Sequence, residues 1–213
     1  MEVFLFFLVF LIIPLLLFTF NNDKKVPRNI AVYSGSFDPL HIGHKAILEE
    51  ISSKYDWVYL IVTPQNPLKE RKSSDVMTRV KNAHDALIRN EIFNVTVSDI
   101  EQTMEPPYYT VKTLNELKKL TPHNHFTLVI GADNLQNIRE WKEYQKLLTE
   151  YGVLVFPRGD FGVSKLEDLK KELLLENPEY KIEINKTIIP TVSSTEIRES
   201  LEKGDSNVNK LLM

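Results

Sequence analysis

Asn29-Ile30-Ala31-Val32-Tyr33-Ser34-Gly35-Ser36-Phe37-Asp38-Pro39-Leu40-His41-Ile42-Gly43-His44 is the stretch that decides the fold of this 213-residue chain. Its first half is a short apolar run that ends on glycine, the pattern of a buried strand. After a turn around Asp38-Pro39, Ile42, Ala46, Ile47 and Ile51 recur at helical spacing from His41 to Ser53. A strand that runs into a glycine turn and then a helix is half of a βαβ unit.

The same alternation continues along the chain. Trp57–Thr63 reads as a strand stopped by Pro64, and Ser74–Ile88 as a helix with Val76, Val80, Ala83 and Leu87 on one face. Asn94–Val97 is strand-like, Thr110–Leu120 helical, and Phe126–Ile130 a strand ending at Gly131. Val153–Phe156 is a strand stopped by Pro157, Leu166–Leu175 an amphipathic helix, Lys181–Ile189 an outer strand, and Ser194–Lys203 a final helix. Alternating strands and helices predict an α/β fold with a doubly wound, mostly parallel sheet. Such sheets hold ligands beyond the carboxyl ends of their strands, where the strand order reverses. The residues after Ser34, Thr63, Ile130 and Phe156 are therefore the ones to read for chemistry.

Composition narrows the chemistry. The chain has no cysteine, which excludes disulfide scaffolds, thiolate metal sites and cysteine nucleophiles. A net charge of −3 gives no footprint for bulk nucleic-acid binding. The 43% hydrophobic content is uneven: six of the 11 phenylalanines fall within the first 20 residues. Residues 3–20 form an uncharged apolar run, long enough as a helix to cross a thin hydrocarbon core at about 1.5 Å per residue. The start lacks the basic residues and small-residue cleavage site of a signal peptide. Lys24, Lys25 and Arg28 follow the run, which fits an anchor with a cytoplasmic domain behind it. A mis-called start is the remaining alternative. Residues 1–28 are thus expected to be an apolar leader or membrane anchor, and 29–213 the functional domain.

Gly35, at the end of the first strand, lets a backbone approach a phosphate. The helix after it aims its free N–H groups and positive dipole end at the same place. His41 and His44 share a face if both lie in the first helical turn, with Gly43 leaving room between them. Two imidazole donors beside a helix N-terminus suit a pentavalent phosphorus centre, where positioning and charge stabilisation matter most. Zinc at His41 and His44 is the competing reading, but no third protein ligand stands nearby.

The segment Gly35–His44 resembles the G-x-F-D-P-x-H-x-G-H motif of the nucleotidylyltransferase superfamily. Pro64-Gln65-Asn66-Pro67-Leu68-Lys69, Tyr108-Tyr109-Thr110-Val111-Lys112-Thr113-Leu114 and Gly131-Ala132-Asp133-Asn134 followed by Trp141 are similar to segments of bacterial nicotinate-nucleotide adenylyltransferases. Val192-Ser193-Ser194-Thr195-Glu196-Ile197-Arg198 resembles the superfamily's I-S-S-T-x-I-R helix start. The family often has a histidine where Leu68 stands, and its R-P-G-like turn appears here as Pro157-Arg158-Gly159.

The resemblance implies a Rossmann-like nucleotidyltransferase fold and adenylyl transfer from ATP to nicotinate or nicotinamide mononucleotide. It implies His41 and His44 as catalytic groups. Gly35, Ser36, Phe37, Gly43, Gly131, Asp133, Ser193, Ser194, Thr195 and Arg198 would bind ATP. Lys69, Tyr109, Thr110, Trp141 and Arg158 would bind the mononucleotide, with Trp141 stacked on the pyridine ring. Mg²⁺ would arrive with ATP and take no protein side chain as ligand. A pantetheine-phosphate adenylyltransferase and a non-catalytic, membrane-tethered nucleotide-binding module are the alternatives. Formal glycosylation sequons at Asn94 and Asn185 would suit a secreted protein.

Overall fold

The computed structural model describes Val26 and residues 28–65, 74–159 and 161–213. The apolar run of residues 3–20, most of its basic flank, and Lys69 in the proline-rich loop lie outside the described residues. Among the described residues no helix is long and apolar enough to cross a membrane.

Six strands form one sheet: β1 (Asn29–Gly35), β2 (Trp57–Val62), β3 (Val95–Ser98), β4 (His125–Gly131), β5 (Val153–Phe156) and β6 (Ile182–Ile184). Their order is β3-β2-β1-β4-β5-β6, and every neighbouring pair is parallel. The principal helices are α1 (Ile42–Lys54), α2 (Val76–Arg89), α3 (Thr110–Leu120), α4 (Val163–Glu176) and α5 (Ser194–Glu202).

Side chains alternate across the central strands. Ile30, Val32, Phe126, Leu128 and Ile130 bury one face against Val111 and Leu114 of α3 and Leu166 and Leu173 of α4. Ala31, Tyr33, Val58, Leu60, Val62 and Val129 bury the other against Leu48 and Ile51 of α1 and Ala83 and Leu87 of α2. Strands buried on both faces read as near-continuous apolar runs, as Val58–Val62 does. The chain moves outward from β1 in one direction through β2 and β3, then restarts beside β1 with β4. The strand order therefore reverses between β1 and β4, where Gly35 and Gly131 end their strands.

Two regions depart from the sequence expectation. The outer strand is only Ile182–Ile184, because Asn185 turns the chain away. Asn185 is buried; its amide donates to Glu50 Oε1 at 3.1 Å and its oxygen accepts from the Thr187 N–H at 2.7 Å. The Asn94 amide is likewise engaged, donating to the carbonyl of Ser52 at 2.9 Å. Both sequon nitrogens are thus structural donors. The second departure is the segment between β4 and β5, a chain of short helical turns from Ala132 to Tyr151 with no long helical period to announce it.

The C-terminal segment packs instead of fraying. Val208 is buried, Leu212 bridges to His41, and the Met213 carbonyl accepts from Arg89 at 2.9 Å. The tail therefore braces the start of α1.

Candidate active site

Two hollows open at the strand ends on either side of Ser34 and Gly35. The larger encloses about 580 Å³ and is lined by the β1 turn, His41, His44, Asp133, Arg158 and the start of α5. The smaller, about 100 Å³, is lined by Tyr109, Thr110, Trp141 and Glu101. Ser34, Gly35 and Asn134 belong to both walls, so the two hollows adjoin.

The histidines are placed by the helix they begin. His41 is the N-cap of α1, and its Nδ1 accepts from the His44 N–H at 3.4 Å. His44 Nδ1 accepts in return from the His41 N–H at 3.3 Å. This is a capping box built from two imidazoles in place of the usual hydroxyl and carboxylate. It stacks the rings with centroids 3.7 Å apart and planes 21° apart. Because each Nδ1 is an acceptor, each neutral ring carries its proton on Nε2 and donates from there. His41 is buried, and its Nε2 has no partner. Such a donor at the edge of a large polar hollow is suited to an anionic oxygen.

Burial, and after it the charge of Arg158, push the His41 pKa down to about 4. The unfolded chain therefore takes up a proton between about pH 6.5 and 4 that the folded protein refuses. Stability from this group is complete above pH 6.5 and lost as pH falls toward 4, by up to about 3 kcal/mol. Urea unfolding at pH 7 and pH 4.5 checks it. His41→Asn retains a capping oxygen and should lose distinctly less stability across that interval than the wild type.

The neighbouring residues hold this pair. Phe37 is buried and meets the His44 ring edge-on at 5.2 Å. A Cβ on Gly35 would lie 3.1 Å from the Phe37 ring, so Gly35 makes room for that ring as well as for a phosphate. A Cβ on Gly43 would lie 2.9 Å from the Pro190 carbonyl and 3.1 Å from the His41 ring. The direction a Cβ would take from Gly43 is thus closed by protein, while Gly43 still lines the larger hollow. Gly131 serves Asp133, whose Oδ1 would lie 2.6 Å from an added Cβ.

On the opposite wall, Ser193 caps α5 by accepting from the Glu196 N–H at 3.5 Å. Ser194 instead donates to the Pro39 carbonyl at 3.2 Å. Arg198 donates to the Asp38 carbonyl and, at 3.0 Å, to Thr195 Oγ1. Ser36 lines the same hollow. The start of α5 is thereby fastened to the β1 turn, and two helix N-termini face one hollow.

Arg158 was expected on the mononucleotide side. It lines the larger hollow, where its guanidinium donates to the Val192 carbonyl at 2.9 Å. Tyr109, Thr110 and Trp141 do line the smaller hollow together. Tyr109 is the N-cap of α3 and makes no side-chain capping bond. Trp141 is packed against the core, with its Nε1 buried and unpartnered.

Sequence reasoning missed two residues. Arg79 is buried in α2 and donates to the carbonyls of Ser36 at 2.6 Å, Thr63 at 2.9 Å and Ser74 at 2.9 Å. Glu101, also buried, accepts from Thr113 Oγ1 at 2.6 Å. An Arg and a Glu in polar surroundings read as surface residues; only Arg79's place beside Val76, Val80 and Ala83 hinted at burial.

A parallel sheet in this order, with two helix-capping imidazoles at the point of reversal, defines a nucleotidyl-transfer scaffold. The chain belongs to the cytidylyltransferase-like family, whose model matches residues 32–200. Among its relatives are the probable nicotinate-nucleotide adenylyltransferases of Flavobacterium johnsoniae, 32% identical over 86% of this chain and 91% of that one, and of Flavobacterium psychrophilum, 34% identical over the same shares. The fold is also that of Plasmodium falciparum nicotinic acid mononucleotide adenylyltransferase complexed with NaAD, at TM-score 0.72 and 22% identity, covering 86% of this chain and 88% of that one.

Proposed function

We infer that this chain transfers the adenylyl group of ATP to nicotinate mononucleotide, forming the dinucleotide and pyrophosphate in NAD biosynthesis. The observation that carries the reading is the adjoining pair of hollows, one polar and flanked by imidazole donors, the other small and aromatic. A triphosphate in the first and a pyridine ring in the second bring the mononucleotide phosphate to the shared wall at Ser34, Gly35 and Asn134.

The attacking phosphate is already ionised and needs no general base. Its oxygen bonds to the α-phosphorus of ATP as the bond to the pyrophosphate oxygen breaks. The Nε2–H groups of His41 and His44 donate to the oxygens on which charge gathers. Ser193, Ser194, Thr195 and the α5 N-terminus receive the departing pyrophosphate. Arg158 and Arg198 supply positive charge on that side. Lys69, which follows β2 in the sequence, is assigned to the mononucleotide phosphate. Trp141 stacks on the ring.

Among the described residues no group of three or more His, Asp or Glu could hold a metal ion. A Mg²⁺ ion arriving with ATP would supply charge neutralisation on the triphosphate. The acid is favoured over the amide because α3 presents an N-terminus without a side-chain cap, at Thr110, to the pocket. We place this domain in the cytoplasm, where ATP is plentiful, tethered through residues 3–20.

A pyrophosphate-release assay with ATP and nicotinate mononucleotide, nicotinamide mononucleotide or phosphopantetheine tests the assignment. The expected result is release with the pyridine mononucleotides, fastest with the acid. Release with phosphopantetheine alone would overturn it.

A further inference from the structure

Glu101 has no task in the reaction as derived, yet it is 1% exposed in the helical turn Ile100–Thr103 between β3 and α3. Its Oε1 is taken by the Thr113 hydroxyl, while Oε2 is buried with no hydrogen bond of normal length. Leaving a carboxylate oxygen buried and unpaired is costly unless something else compensates it. Burial pushes the carboxyl pKa up, and the hydroxyls of Thr113 and Thr63 pull it down. The other charged side chains lining this pocket are Glu140 and Lys142, exposed on either side of Trp141 and opposite in sign. Arg79 stands behind the wall, bonded to the Thr63 carbonyl. Among the described residues lining this pocket, which also include Tyr108, Tyr109 and Trp141, Glu101 is therefore the buried carboxyl group.

A pyridine nitrogen bonded to a ribose carbon is quaternary. It carries a fixed positive charge and has no hydrogen to donate. Such a cation satisfies an anion through Coulomb attraction across a low-dielectric site, and aromatic faces favour it too. We propose that Glu101 is the counter-ion of the pyridinium ring, a specificity-determining residue that selects a charged ring over a neutral one. The proposal rests on the assignment of the smaller hollow to the mononucleotide. It also accounts for an acidic group in a pocket that takes an acidic substrate: the substrate carboxylate belongs at the α3 N-terminus, the ring nitrogen near Glu101.

The test compares nicotinate mononucleotide with its 1,4-dihydro form, whose ring nitrogen is neutral, on the full chain with ATP. The wild type should show a KM about ten- to hundredfold lower for the charged form, the scale of one partly screened charge pair. Glu101→Gln keeps an acceptor for Thr113 and should lose most of that preference, with the KM for ATP unchanged. Glu101→Asp keeps the charge and should retain part of it. Equal KM values for the two forms in the wild type would overturn the proposal, even where the variants prove too unstable to purify. A variant that melts earlier but keeps the wild-type preference would also overturn it, leaving Glu101 as a brace for α3. No turnover of either form by the wild type would remove the mononucleotide assignment itself, and the proposal with it.

Discussion

Replacing His44 with alanine should lower kcat by two to three orders of magnitude, the loss seen when one donor to a developing anionic oxygen is removed. The change also deletes half of the imidazole capping box, because His44 Nδ1 accepts the His41 N–H. Loss of a cap costs about 1 kcal/mol of stability, too little to unfold a domain of this size. A second variant separates the two roles. The side-chain oxygen of His44→Asn sits where Nδ1 was and can still accept from His41, but nothing replaces the Nε2–H. His44→Asn should therefore recover most of the lost stability and little of the lost turnover. Steady-state pyrophosphate release and urea denaturation of the two variants measure this directly. Turnover near wild type in either variant would exclude His44 from the transition state.

Features set by neighbouring residues were legible in the sequence, and those set by distant ones were not. The β1 turn and the α5 start were legible because their function is local: glycine, capping residues and imidazoles within ten positions of one another. The strands were legible because burial on both faces leaves unbroken apolar runs. Which residue caps α5 was not, since Ser193 and Ser194 are equivalent until Pro39 arrives from 155 residues away to take the Ser194 hydroxyl. Where Arg158 rests was not legible either, because a turn arginine has reach, and the Val192 carbonyl that holds its guanidinium at the larger hollow lies 34 residues away. Arg79 and Glu101 were invisible for the deepest reason. A buried charge is recognisable only through its partners, and those of Arg79 are carbonyls, which every residue possesses.

Arg79 is also where the largest loss of stability is expected. Its guanidinium ties the ends of β1 and β2 to the start of α2, and Asp38, whose carboxylate accepts from the Ser74 N–H and hydroxyl, stands by as its compensating charge. Arg79→Met keeps the apolar stem but strands the carbonyls of Ser36, Thr63 and Ser74. An acceptor left without a donor costs about 1–3 kcal/mol, in full at buried Thr63 and less at half-buried Ser36 and exposed Ser74, where water recovers part of it. The variant should therefore lose about 3–5 kcal/mol, a large share of the stability of an ordinary domain. Arg79→Lys keeps the charge, but one ammonium cannot reproduce a planar fork spanning three carbonyls. It should fold with an intermediate loss and expose the functional consequence: Ser36 lines the larger hollow and Thr63 the smaller. Slackening both walls at once should raise KM for both substrates together, unlike any change confined to one hollow. Urea denaturation of the methionine variant and two-substrate kinetics of the lysine variant decide it. A methionine variant within 1 kcal/mol of wild type would mean that water satisfies these carbonyls and that Arg79 holds nothing the active site needs.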